Sequence, residues 1–146
     1  VEGYVEDSFD CSAVRKCVLE PLGPDGSLSY QPEIYDHAKE TSKPPNSISA
    51  SPDAILLFEG VMLFREEFAS FFDYRILVDT AFEVALERAK VRDLKHFGNM
   101  GTLLEKYTLR FIPGQKSYLA KCRPAEQANA IFGNDHPHRP KIKFNR

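Results

Sequence analysis

Between Asp53 and Gly60 the chain reads Asp-Ala-Ile-Leu-Leu-Phe-Glu-Gly, an apolar run without alternation, closed by a carboxylate and a glycine. Such a run predicts, over residues 55–58, a strand buried on both faces, as in a parallel sheet. Residues 75–78, followed by Asp79, repeat the pattern. Elsewhere the apolar period is helical. Val14, Cys17 and Val18 predict a helix over 11–20, capped by Asp or Ser and stopped by Pro21. Residues 64, 68, 71 and 72 predict a short amphipathic helix over 64–72. Thr80-Ala-Phe-Glu83 has the form of a capping box opening a helix over 81–94, with Phe82, Ala85, Leu86 and Ala89 as its apolar stripe. Arg88 and Arg92 lie one turn apart on that helix, so their guanidinium groups point the same way.

Beyond a break at Gly98 and Gly101, a helical repeat runs from Leu103 to Cys122, and Pro113-Gly114 is expected to kink or interrupt it because proline has no N–H to donate. Residues 128–132 predict a last strand, and 133–146 a loop-like tail. Nearer the start, spaced Leu28, Tyr30 and Ile34 predict an extended or hairpin segment, and polar 36–51, with Pro44-Pro45, a surface loop suited to a lid or substrate role. Strands alternating with helices argue for an α/β layered fold with a mostly parallel sheet, whose ligands bind beyond the strand carboxyl ends, where Glu59 and Asp79 sit.

Composition narrows the classes of function. A chain of 146 residues, 42% hydrophobic, is most simply one domain with one core. A net charge of -2 supplies no field that would draw in nucleic acid or an anionic membrane surface. Cys11, Cys17 and Cys122 have no paired metal-type spacing, which points to buried thiols in a reducing cytoplasm. His136 and His138 read as tail-loop residues rather than zinc ligands, because no Cys or third His lies close in sequence. No stretch approaches the roughly 20 apolar residues of a membrane span. The start, which lacks a Met, has no signal-peptide character and suggests a chain cut from something longer.

Several segments, in order, resemble the uridine kinase-like branch of the P-loop kinases, which is related to phosphoribulokinase and bacterial pantothenate kinase. They are Phe58-Glu-Gly-Val-Met-Leu-Phe64, Leu77-Val-Asp-Thr80, Arg88 with Arg92-Asp93, and Tyr107 leading to Pro113. Asp7-Ser-Phe-Asp10 and Pro32-Glu-Ile-Tyr-Asp36 match the family's nucleoside-side segments more weakly. The resemblance implies a three-layer P-loop kinase-like fold over a single domain, with a lid region around 88–101. It implies ATP and Mg2+ as cofactors and a nucleoside-like phosphate acceptor. By position it makes Glu59 the acidic residue that organises magnesium, Arg88 and Arg92 the lid contacts to the transferred phosphate, and Tyr35 and Asp36 the nucleoside site. Asn134, in Gly133-Asn134-Asp135, falls near the adenine ring, and Arg110, in Tyr107-Thr-Leu-Arg-Phe-Ile-Pro-Gly-Gln115, becomes a contact to a polar or anionic substrate. The residue chemistry agrees, since magnesium takes hard oxygen ligands and arginine spreads positive charge over phosphoryl oxygens.

The departures are specific. No Gly-rich loop ending Gly-Lys-Ser or Gly-Lys-Thr occurs between Val1 and Arg146. In the family that loop, the first strand and the general base would all lie before Val1. Glu40 replaces the histidine that reads the pyrimidine, Ala89 one lid arginine, and Leu94-Lys-His-Phe-Gly98 carries no further lid arginines. The leading expectation is the C-terminal part of an ATP-dependent kinase that phosphorylates a hydroxyl of a nucleoside or related small molecule, inactive as this fragment alone. The competing expectation is a catalytically inactive kinase-like module that binds a ligand or partner. In either case a second copy or a partner segment would supply the missing strand.

Overall fold

The computed structural model describes residues 2–6, 10–36 and 41–145. Asp7-Ser-Phe of the nucleoside-side motif and Glu40 lie outside these. Packing divides the chain into two compact units, one formed by Val1–Ser8 with Phe72–Arg146 and the other by Phe9–Phe71.

Helix α1 (Glu2–Glu6) belongs to the first of these units and packs on its last long helix. In the Phe9–Phe71 unit, Asp10 caps the predicted first helix by accepting the Ala13 N–H at 2.8 Å. Pro21 does not stop this helix. It runs as α2 (Cys11–Val14), a π-turn (Arg15–Leu19) and α3 (Glu20–Leu22), with Pro21 in the first turn of α3. Proline's missing N–H would have served the Cys17 carbonyl, four residues back, and that carbonyl instead accepts the Gln31 N–H at 2.8 Å. Four two-residue strands follow. β1 (Ser29–Tyr30) pairs antiparallel with β4 (Ile48–Ser49), and β2 (Tyr35–Asp36) with β3 (Thr41–Ser42).

The strand predicted over 55–58 does not form. The segment has no regular structure, and Ile55 and Leu57 are 94% and 89% exposed. A strand is held by ladder bonds to a neighbour, and no described strand pairs with this one. The helix predicted over 64–72 contracts to a 3-10 turn, Glu66–Phe68, anchored by fully buried Phe68. So short an isolated segment offers too few hydrogen bonds to offset the ordering of its first turn.

The larger unit holds a mixed α/β core. β5 (Ile76–Asp79) leads through α4 (Phe82–Arg92), α5 (Leu94–Phe97) and α6 (Met100–Lys106) to a π-turn (Tyr107–Phe111), α7 (Ile112–Cys122) and α8 (Pro124–Gln127). β6 (Ala130–Gly133) then pairs parallel with β5, and β7 (Lys141–Phe144) pairs antiparallel with β6. The sheet is thus one parallel and one antiparallel pair, and the tail read as loop contains a strand. Gly98, at φ 78°, supplies the predicted break between α5 and α6, and Asn99 caps α6 by accepting the Thr102 N–H at 2.9 Å.

Pro113 repeats the solution used at Pro21. A π-turn ends two residues before it, and the helix continues through the proline. The wider turn moves the i−4 carbonyl away from the ring, so the expected interruption becomes a local change of pitch. Gly114 is buried where a Cβ would stand 2.5 Å from the Tyr4 ring, so only glycine lets α1 approach α7 this closely. Phe97, Tyr107 and Phe111 add an aromatic cluster beneath that contact, with Tyr107 and Phe111 edge to face at 5.1 Å.

Candidate active site

The site is built around α4, and its entry differs from the predicted capping box. Ala81, not Thr80, is the N-cap and makes no side-chain cap. The backbone N–H of Ala81 instead donates to Asp135 Oδ1 at 2.8 Å, so a carboxylate from the loop after β6 caps the helix from 54 residues away. Roughly two turns in, Arg88 Nη2 donates to the carbonyls of Asn134 at 2.7 Å and Asp135 at 3.0 Å. Helix and loop are therefore tied at two points. Asn134 is tied to β5 as well, through its N–H to the Asp79 carbonyl at 2.7 Å.

At the other end of α4, Arg92 grips Asp93 with Nε and Nη2 at 2.6 and 2.8 Å, and Tyr107 donates its O–H to Asp93 Oδ2 at 2.5 Å. The Arg92 hydrogen bonds hold the Asp93 carboxyl down at about 2, with Tyr107 assisting against desolvation. Arg92 is correspondingly raised by its bond to Asp93, and Tyr107 is raised first by burial and then by Asp93. Between these two ends lies an open groove of about 670 Å³, lined by Glu83, Val84, Glu87, Arg88, Val91, Arg92 and Asp135. Arg88 and Arg92 thus line one surface, as the helical spacing predicted. Asp135 is the residue missed. Its signal, a carboxylate just past the end of a strand, is not interpretable without knowing which helix that loop meets.

The remaining predicted residues lie on other elements. Arg110 is exposed in the π-turn, its guanidinium carbon 5.8 Å from the centre of the Tyr4 ring. Glu59, Tyr35 and Asp36 belong to the Phe9–Phe71 unit. Glu59 is exposed on irregular chain, and Tyr35 is exposed in β2 opposite Ser42, with Asp36 opposite Thr41. An exposed carboxylate fits magnesium, a hard cation that keeps most of its waters and takes only one or two protein carboxylates. Among the described residues no cluster of three or more His, Cys, Asp or Glu is placed to hold a metal. No helix among them is long and apolar enough to cross a membrane.

The model of the phosphoribulokinase / uridine kinase family matches residues 24–134. The chain belongs to this family. The match takes in Glu59, Arg88, Arg92, Arg110 and Asn134, so each candidate residue among these lies inside the family's region. Membership makes the chain kinase-like, with phosphoryl transfer and nucleotide binding as its class of chemistry. No solved structure matches the chain.

Proposed function

We propose that the chain supplies the lid side and acceptor side of an ATP-dependent kinase that transfers the γ-phosphoryl group to a hydroxyl of a nucleoside or related small molecule. The observation that carries this reading is the groove on α4, where two arginines of a kinase-family chain line one open surface. In the proposal Arg92 contacts the transferred phosphate, and Arg88 orders the Asn134–Asp135 loop on the adenine side. Glu59 is the magnesium ligand, Tyr35 and Asp36 face the nucleoside, and Arg110 holds a polar group of the acceptor. Bound magnesium would neutralise charge on the phosphates, while the protein's part is to position and to stabilise developing negative charge. The Gly-Lys-Ser or Gly-Lys-Thr loop would come from sequence ahead of Val1. The three-layer fold would need a further strand on the open edge of β5.

The test is a nucleoside panel with ATP and magnesium, run on the protein as encoded. Turnover of one acceptor class is expected, with kcat/KM falling about 100-fold in Arg92→Ala, the order found when one stabilising donor is removed, and collapsing in Glu59→Gln. Undiminished turnover in both variants overturns the assignment.

A further inference from the structure

The two arginines of the groove are held in different ways. Arg88 gives its hydrogen bonds to two neutral carbonyls. Arg92 is paired in bidentate fashion with a full negative charge, and its side chain is 73% exposed while that of Asp93 is 19% exposed. The partner is held on both sides, whereas the exposed arginine has beyond Asp93 only a long contact, from Nη2 to the Tyr107 hydroxyl at 3.4 Å. Asp93 sits at the carboxyl end of α4, where its own N–H bonds the Ala89 carbonyl, and its carboxylate also accepts the Tyr107 O–H from the π-turn. A carboxylate held on both sides can release one donor without being stranded.

We propose that Asp93 is a positioning residue that competes with phosphate for Arg92, holding the arginine at the groove until a polyphosphate displaces it, and that Tyr107 makes the exchange possible by keeping Asp93 solvated after Arg92 leaves. This rests on the reading of Arg92 as a phosphate contact. The bidentate geometry orients the guanidinium fork, and a triphosphate offers the same fork more negative charge. Because the arginine of the pair is largely exposed, the carboxylate competes only modestly, and exchange is reversible.

Two substitutions move the equilibrium in opposite directions. Asp93→Asn removes the competing charge and frees Arg92. Tyr107→Phe leaves Asp93 with Arg92 as its one side-chain donor among the described residues, and because the bond lost from Asp93 (2.5 Å) is much shorter than the one lost from Arg92 (3.4 Å), the net effect is that the carboxylate retains the arginine more firmly. If the Asp93–Tyr107 contact merely held the end of α4 in place, both substitutions would loosen it and shift binding the same way.

The measurement is calorimetric titration of the protein as encoded with inorganic tripolyphosphate and magnesium. Affinity is expected to rise about threefold in Asp93→Asn, the span set by an exposed ion pair, and to fall in Tyr107→Phe and in Arg92→Ala. Arg92→Ala/Asp93→Asn should match Arg92→Ala alone. A drop in Arg92→Ala with no rise in Asp93→Asn, or with shifts of the same sign in Asp93→Asn and Tyr107→Phe, overturns the competition while leaving the phosphate contact standing. Unchanged affinity in Arg92→Ala overturns the phosphate contact and the competition with it. Should Asp93→Asn fail to fold, the sign of the Tyr107→Phe effect decides.

Discussion

Ile55-Leu-Leu-Phe58 and Ile76-Leu-Val-Asp79 are nearly the same word, yet they meet opposite fates. The second is a strand paired along its length with β6, and its carbonyls at Arg75 and Asp79 bind the residues that flank β6. The first is irregular and open to solvent, with Ile55 and Leu57 almost fully exposed. Apolar character alone makes neither a strand. A strand forms where a neighbour takes its backbone hydrogen bonds. Even β5 is partly finished. By register Ile76, Ala130 and Phe144 share one face with Val78, Phe132 and Ile142, and four of these six side chains are more than half exposed.

The sharpest way to test this contrast is to shorten one leucine in each region. Leu103, fully buried in α6, should lose about 3 kcal/mol of stability on substitution by Ala. Leu57→Ala should stay within about 0.5 kcal/mol, as for an exposed position. Chemical denaturation of both variants decides it, and a large loss in Leu57→Ala would mean the 55–58 run is buried after all.

The paired region owes its order to bonds that the exposed run lacks, so removing them should bring the two closer. Asp135→Ala uncaps α4 and should cost about 1 kcal/mol, with Asp135→Asn recovering most of it because an amide oxygen still accepts the Ala81 N–H. Asn129→Ala should cost about 1 kcal/mol, since Asn129 Oδ1 accepts the Arg75 N–H at 2.8 Å where β5 begins. Thermal unfolding reads both, and hydrogen exchange at Ile76–Asp79 should quicken in Asn129→Ala.

A last effect is that of pH. Asp93 lies at about 2 in the folded protein against an ordinary 3.8, so it is depressed on folding. Its contribution is therefore fully present above pH 3.8 and fades as the pH falls toward 2. Exposure of the Arg92 partner keeps that contribution to about 1 kcal/mol. The gap in Tm between the native chain and Asp93→Asn should close across this window. A gap that stays constant, or widens in acid, would show that Asp93 draws no stability from its charge.

Much of the larger unit could be read from residue order alone. The helix carrying Arg88 and Arg92, the break at Gly98, and the strands near 76 and 130 all follow from local period and turn chemistry, which act over a few residues. β7 was also legible, because Lys-Ile-Lys-Phe alternates strictly after Pro140, yet a run of only four residues beside loop-forming neighbours was outweighed. The prolines show the limit of a local rule. Pro21 and Pro113 each mark a disturbed hydrogen bond, as the sequence states, but whether the helix ends or widens depends on what else can take the freed carbonyl.

By itself the sequence determined the helical stripe of α4, the pairing of two guanidinium groups on it and the family to which the chain belongs, all of which depend on neighbours within a few residues or on ordered motifs. Tertiary structure alone decided that Asp135 caps α4, that Tyr107 reaches Asp93, and that one of two apolar runs becomes a strand. Each of these is a hydrogen bond or ladder whose second partner is fixed by how distant segments meet, and no local pattern encodes the position of an acceptor that arrives from elsewhere in the chain.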